Sequence, residues 1–193
     1  MASWNAIQRT NWIKSNILTL VLMIPLKEAI AERHSIAEKM PFNQKMFRGE
    51  LTPAEYASYL QSQLEIFSTI EAHFQLPHSG FERSNLIQED LDELGIEPKR
   101  TQAGKRYLDY LQRLSQEDAN AHIYLNYLAL LFGGQMMKTK VPGSGKMYVF
   151  EGVPELIASV RQIQKDSWAG QANMGLDFVI EIFRELDSLF NQP

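Results

Sequence analysis

The sequence contains no cysteine. Disulfides, thiolate metal sites and cysteine nucleophiles are excluded, and the composition fits a reducing compartment, so a cytoplasmic location is expected. Nor is there a run of about 20 apolar residues, the length a membrane-spanning helix needs. The apolar stretch from Ile17 to Ile24 in "NILTLVLMIP" follows Arg9 and Lys14 and has a length compatible with a signal-peptide core. No small-x-small cleavage site comes after it; Pro25 and a charged amphipathic segment do. The expectation is an N-terminal helical extension over residues 1–25, packed on the domain or at a dimer interface, followed by a domain over 26–193. The chain also lacks a basic stripe. Its 19 Lys and Arg are scattered among 23 acidic residues, giving a net charge of −4, which sets nucleic acid aside as a partner.

Catalytic signatures are equally sparse. A Gly-x-Ser-x-Gly elbow, a Walker loop and a dinucleotide fingerprint are all missing. A helical di-iron site would want Glu-x-x-His on two helices. The nearest strings, "EAH" at Glu71–His73 and "ERH" at Glu32–His34, have the wrong spacing. Three histidines grouped for zinc are not evident either. No repeat, low-complexity segment or alternating β pattern is present.

What remains is helical. A chain of 193 residues, 45% hydrophobic and 22% charged, is enough for one compact domain. Its apolar period is near 3.6 almost throughout, which predicts an all-α, single-domain multi-helical bundle. Helices are predicted over roughly 3–22, 26–39, 52–75, 83–95, 99–115, 117–138, 152–169 and 171–190. In "LTPAEY", Thr52 reads as an N-cap, Pro53 as the first helical residue and Glu55 as the partner of a capping box. Ser115 reads as another cap. Pro41, Gly49, "LPHSG" and "GIEP" read as punctuation. The longest irregular stretch, Thr139 to Phe150, has the length of a functional loop.

Two places invite a chemical reading. In "PLKEAIAERHSIAEKM", Ile30, His34 and Ala37 share one helix face, with Lys27 two turns before the histidine and Glu38 one turn after it. A lone histidine on such a face is either a core residue bonded to backbone or an axial ligand to a metal that something else holds, as a porphyrin does. His73, His78 and His122 have no evident partners in the sequence. The second place is "AHIYLNYLALLFGGQMMKTK", where Gly133 and Gly134 interrupt a strong helical pattern. Each glycine inside a helix costs about 1 kcal/mol relative to alanine. Ala129, Gly133 and Gly134 form a small-residue strip, suited to close approach of a flat plate or to tight helix–helix packing.

Together, "LKEAIAERHSIAE" and "AHIYLNYLALLFGGQ" resemble the heme oxygenase family. The likeness extends through "RSNLIQEDL", "RYLDYLQRL" and "YVFEGVPELIASVRQIQKDSW" and covers roughly residues 26 to 187. It implies an all-α fold that sandwiches heme, as cofactor and substrate, between a proximal and a distal helix. By this resemblance His34 is the iron ligand, Glu38 lies near the heme face, and Lys27, Tyr124, Arg161 and Lys165 meet the propionates. Gly133 and Gly134 match the flexible distal glycines. The family's distal string is Gly-Asp-Leu-Ser-Gly-Gly-like; here Ala129 stands for the first glycine, Leu130 for the aspartate that holds a proton-delivering water network, and Phe132 for the serine. Asn126 replaces a common arginine. The resemblance implies an oxidoreductase that opens heme to biliverdin, iron and carbon monoxide, using dioxygen and electrons from an external ferredoxin or reductase. The loss of the aspartate keeps a non-catalytic heme carrier, store or sensor as the alternative, and a helical interaction protein without heme as a third.

Overall fold

The computed structural model describes residues 25–191. The helices of this span are α1 (Leu26–Ala29), α2 (Ala31–Lys39), α3 (Pro41–Arg48), α4 (Pro53–His73), α5 (Ser84–Leu94), α6 (Gln102–Leu111), α7 (Gln116–Met137), α8 (Val153–Ile163) and α9 (Ala169–Phe190). Short 3-10 turns occur at Ser79–Phe81, Lys146–Tyr148 and Asp166–Trp168, and no strand occurs among the described residues. The helix predicted over 3–22 lies outside them.

Local signals act as the sequence suggests where they are strong. Thr52 accepts from the Glu55 amide at 3.3 Å, and Glu55 Oε2 accepts from the Thr52 amide at 2.8 Å. This closes the capping box that starts α4. Ser115 accepts from the Asp118 amide at 3.2 Å and starts α7.

Three expectations need correction. Residues 26–39 are not one helix; the chain breaks at Ile30, where the carbonyl of Ala29 turns aside to accept from Asn173 Nδ2 at 3.1 Å. Asp166 accepts from the Leu26 amide at 2.8 Å and fixes the start of α1. Pro41 and Gly49, read as punctuation, are instead the start and stop of α3. Pro41 occupies the first turn, where its missing N–H is no loss. Gly49, at φ 72°, lets the chain leave while its own amide and that of Glu50 satisfy the Met46 and Lys45 carbonyls. Finally, α8 stops at Ile163, and Asp166–Trp168 forms a separate turn before α9.

The main core is built on α4. Its buried Tyr56, Leu60, Ile66, Phe67 and Ile70 meet Phe81, Ile87, Tyr107, Leu111, Tyr127 and Leu131, each full burial contributing about 1.5–3 kcal/mol. A second apolar cluster joins Leu26, Ile30 and Ala37 with Ala121 and Leu125 of α7 and with Trp168, Ala172, Leu176 and Ile180. Helix α9 organises it. Asn173 holds Ala29 and Asp177 holds Arg33 at 2.8 Å, so α2 runs along α9 in the same sense. On the α7 side, a Cβ on Gly175 would stand 2.7 Å from Leu125 Cδ2 and 3.0 Å from His122 Nδ1. Only a bare backbone lets α7 cross so closely.

Candidate functional site

His34 emerges from α2 between Ile30 and Ala37, both buried in the second cluster. Its own side chain is 50% exposed, so it is not a core histidine. Nδ1 lies 3.5 Å from Glu38 Oε1, one turn on. The two side chains are close enough to attract but make no hydrogen bond, and Nε2 likewise has no protein hydrogen-bond partner among the described residues, so the ring has an electron pair to offer.

Helix α7 offers the second surface. Ala121 and Leu125 lie in the cluster that holds Ile30 and Ala37. Continuing that stripe by helical spacing leads to Ala129, Phe132, Gly133 and Met136, where the cover ends. Ala129 is exposed, Phe132 is 55% exposed and Met136 58%. A Cβ on Gly133 would meet nothing within 4 Å. The same face of α7 is thus packed in its first half, in the cluster that includes Ile30 and Ala37 on either side of His34, and bare in its second.

The glycine pair divides. Gly134 is buried, and a Cβ there would stand 2.6 Å from Cδ1 of Tyr148. Tyr148 comes from the long loop and is held by two anchors. Asp90 accepts from the amides of Lys146 and Met147 at 2.8 and 2.9 Å. The buried Arg83 guanidinium donates to the carbonyls of Phe81, Gly80 and Val149 and lies 3.9 Å over the Phe150 ring. The two glycines of the small strip therefore differ: Gly134 packs against a loop tyrosine, and Gly133 faces open space. The Tyr148 contact joins residues 14 apart across an irregular loop, and no local pattern marks it.

Leu130 is 6% exposed and belongs to the main core, turned away from the bare stripe. Asn126 is also buried. Its Nδ2 donates to Tyr107 Oη at 2.9 Å and to the His122 carbonyl at 2.8 Å. Tyr107 Oη lies 2.8 Å from His122 Nδ1, and His122 Nε2 lies 3.2 Å from Gln171 Oε1. The consistent assignment has His122 donating through Nε2 and accepting the Tyr107 proton at Nδ1. Burial drives the His122 pKa down to about 4 despite the Gln171 bond, so the ring is neutral and structural. Its ring partners come from α6 and α9, so no local pattern marks them.

The charged residues come from several elements. Tyr124 is half-buried against Trp168, and burial raises its phenol while the nearby Arg161 opposes the shift. Lys27 and Arg161 are exposed. Lys165 is placed differently: its ammonium sits on Glu117 at 2.8 and 2.9 Å, and Trp168 Nε1 donates to the same carboxylate at 3.1 Å. Those two donors hold Glu117 below the usual carboxylate range. Among the described residues no three His, Asp or Glu side chains converge as a metal site. No described helix is long and apolar enough to cross a membrane.

The pattern of one sequence family, heme oxygenase, matches residues 21–166. The chain belongs to the heme oxygenase family. It is similar to heme oxygenase 1 of Bos taurus, 27% identical over 161 residues, which cover 70% of this chain and 56% of the relative. It is likewise similar to the chloroplastic heme oxygenase 1 of Arabidopsis thaliana, 27% identical over 171 residues, covering 80% of this chain and 55% of that protein. The chain thus spans about half the length of the curated relatives it matches. Among solved structures, heme oxygenase-1 of the cyanobacterium Synechocystis in complex with heme superposes with a TM-score of 0.72 at 20% identity, covering 85% of this chain and 91% of that one. Heme oxygenase of Leptospira interrogans gives 0.72 at 22% identity, covering 83% and 97%. The all-α heme oxygenase fold is therefore the fold of this chain.

Proposed function

We propose that this chain binds heme between α2 and α7 and works as a heme oxygenase, opening the macrocycle to biliverdin with release of iron and carbon monoxide. One pairing of features supports the reading: α2 carries a half-exposed imidazole 3.5 Å from a carboxylate, and α7, whose first half shares an apolar cluster with α2, carries a bare apolar stretch in its second half. A porphyrin fits these residues. His34 Nε2 would hold its iron, Ala129 and Gly133 would give its face a flat approach, and Phe132 and Met136 would give its hydrocarbon apolar cover. The propionates would be met by Lys27 and Arg161, with Tyr124 beside them. Lys165 joins them only by leaving Glu117. Bound heme supplies the redox chemistry; the protein orients it and excludes water. Glu38, 3.5 Å from His34 Nδ1, would favour the tautomer that frees Nε2, and Leu130 fills the core on the buried side of α7. Electrons come from a separate ferredoxin or reductase, with dioxygen as co-substrate.

A hemin titration tests the binding step: one near-stoichiometric complex with a sharp Soret band is expected, altered in His34→Ala. Supplying oxygen with ascorbate or a reductase then tests turnover, by loss of that band and appearance of biliverdin. The core position of Leu130 favours one rival reading, a heme carrier or sensor without turnover. A Soret band that persists under those conditions, with no biliverdin, would establish the rival.

A further inference from the structure

The bare face of α7 is not level. Ala129 and Gly133 form a low row, four residues apart, with no side chain beyond a methyl. Beside it Phe132 and Met136, also four residues apart, form a raised row. Both are more exposed than any other large hydrophobic among the described residues; Ile36, Val149 and Met174, the others above a third exposed, sit singly on separate segments. A solvent-facing Phe–Met pair has no folding role to explain it, since neither side chain packs into the two cores.

We infer that Phe132 and Met136 are specificity residues, a ridge that sets the in-plane seating of the macrocycle and selects one of its two facial orientations. This rests on the heme reading above. A flat ring lying on the Ala129–Gly133 row must abut the ridge along one edge. Its charged edge is drawn toward Lys27 and Arg161, so rotation in the plane is limited from two sides. Natural heme is asymmetric at its periphery: flipping it about the axis that keeps the propionates in place exchanges methyl and vinyl groups on the opposite edges. A ridge of fixed shape contacts a vinyl and a methyl unequally, so the two orientations differ in free energy. A serine at position 132, as the family's pattern has it, would leave half of that ridge missing.

The experiment is proton NMR of the cyanide-ligated ferric complex, in which the shifted heme-methyl signals report the two orientations separately. The wild-type protein is expected to hold one orientation in excess of about 5:1, a bias of about 1 kcal/mol. Phe132→Ala should bring the ratio near 1:1 and weaken hemin about tenfold; Phe132→Leu should lie between, and Met136→Ala should give a smaller change. Hemin whose vinyls are replaced by hydrogens should give a ratio closer to 1:1 even in the wild type. Because Phe132 is exposed, its variants should keep the wild-type melting temperature. An unchanged ratio in folded Phe132→Ala overturns the inference while leaving the heme reading intact. Failure of the wild type to form a Soret complex at all overturns the heme reading itself.

Discussion

Replacing Gly134 with alanine would set a methyl 2.6 Å from the Tyr148 ring, whereas the same change at Gly133 would meet nothing within 4 Å. The two substitutions should therefore separate packing from ligand approach. Gly134→Ala is expected to destabilise the fold by about 1–3 kcal/mol, because Tyr148 is pinned by its loop and cannot retreat freely. Gly133→Ala should leave stability unchanged or raised by up to about 1 kcal/mol through helix propensity, yet weaken hemin binding. Urea midpoints and hemin titrations on both variants check this. His122 gives a pH-dependent case. Its pKa falls from 6.5 in the unfolded chain to about 4 in the fold, with burial the main cause. Between those values the unfolded chain binds the extra proton. The contribution is complete above pH 6.5 and lost as pH falls to about 4, amounting to roughly 3 kcal/mol at most. His122→Gln should show a flatter dependence of the urea midpoint over that window.

At the scale of elements, α7 carries three different environments along one helix. Its first half is packed on α9 through Gly175, its buried side carries Leu130 and Gly134, and its bare side carries Phe132 and Met136. An aspartate at position 130 would restore the family's usual residue, but into a position 6% exposed and enclosed by the main core. Leu130→Asp is expected to cost at least about 3 kcal/mol, from lost packing plus burial of a carboxyl group without a partner. Chemical denaturation measures it; a loss below about 1 kcal/mol would mean that water already reaches this position. The helices themselves were legible in the sequence to the extent that their signals were local. Thr52 with Glu55, and Ser115, are caps visible in four residues. The break at Ile30 was not legible, because its cause, Asn173, lies 144 positions from its acceptor Ala29. Helix α3 was hidden for another reason: Pro41 and Gly49 end helices as readily as they bound a short one.

Across the whole molecule, α2 and α7 each rest on α9, so a heme held between them would tie both halves of the second cluster together. Binding to the folded state alone should then stabilise it. At a hundredfold excess over the dissociation constant the gain is about 2.7 kcal/mol, or roughly 5–10 °C in melting temperature for a chain of this size. Differential scanning fluorimetry with hemin checks this, and His34→Ala should abolish most of the shift. Much of the candidate site was legible from two sequence strings. Residues His34 and Glu38 sit together as their spacing demands, and Ala129 and Gly133 share an uncovered stretch of one helix face. Lys165 was not legible: whether a surface lysine faces a ligand or a carboxylate depends on where Glu117 arrives, and that is decided by how α7 lies against the turn before α9.

The sequence by itself determined the helical class and the strongest caps, because each is written in residue types at short spacing, and its resemblance to heme oxygenases carried the family. Tertiary structure alone decided which glycine packs and which stays open, that Leu130 belongs to the core, and that Phe132 and Met136 stand uncovered. These outcomes turn on contacts between segments far apart in the chain, and the apolar period of α7 is the same whether a face meets another helix, a loop tyrosine or nothing at all.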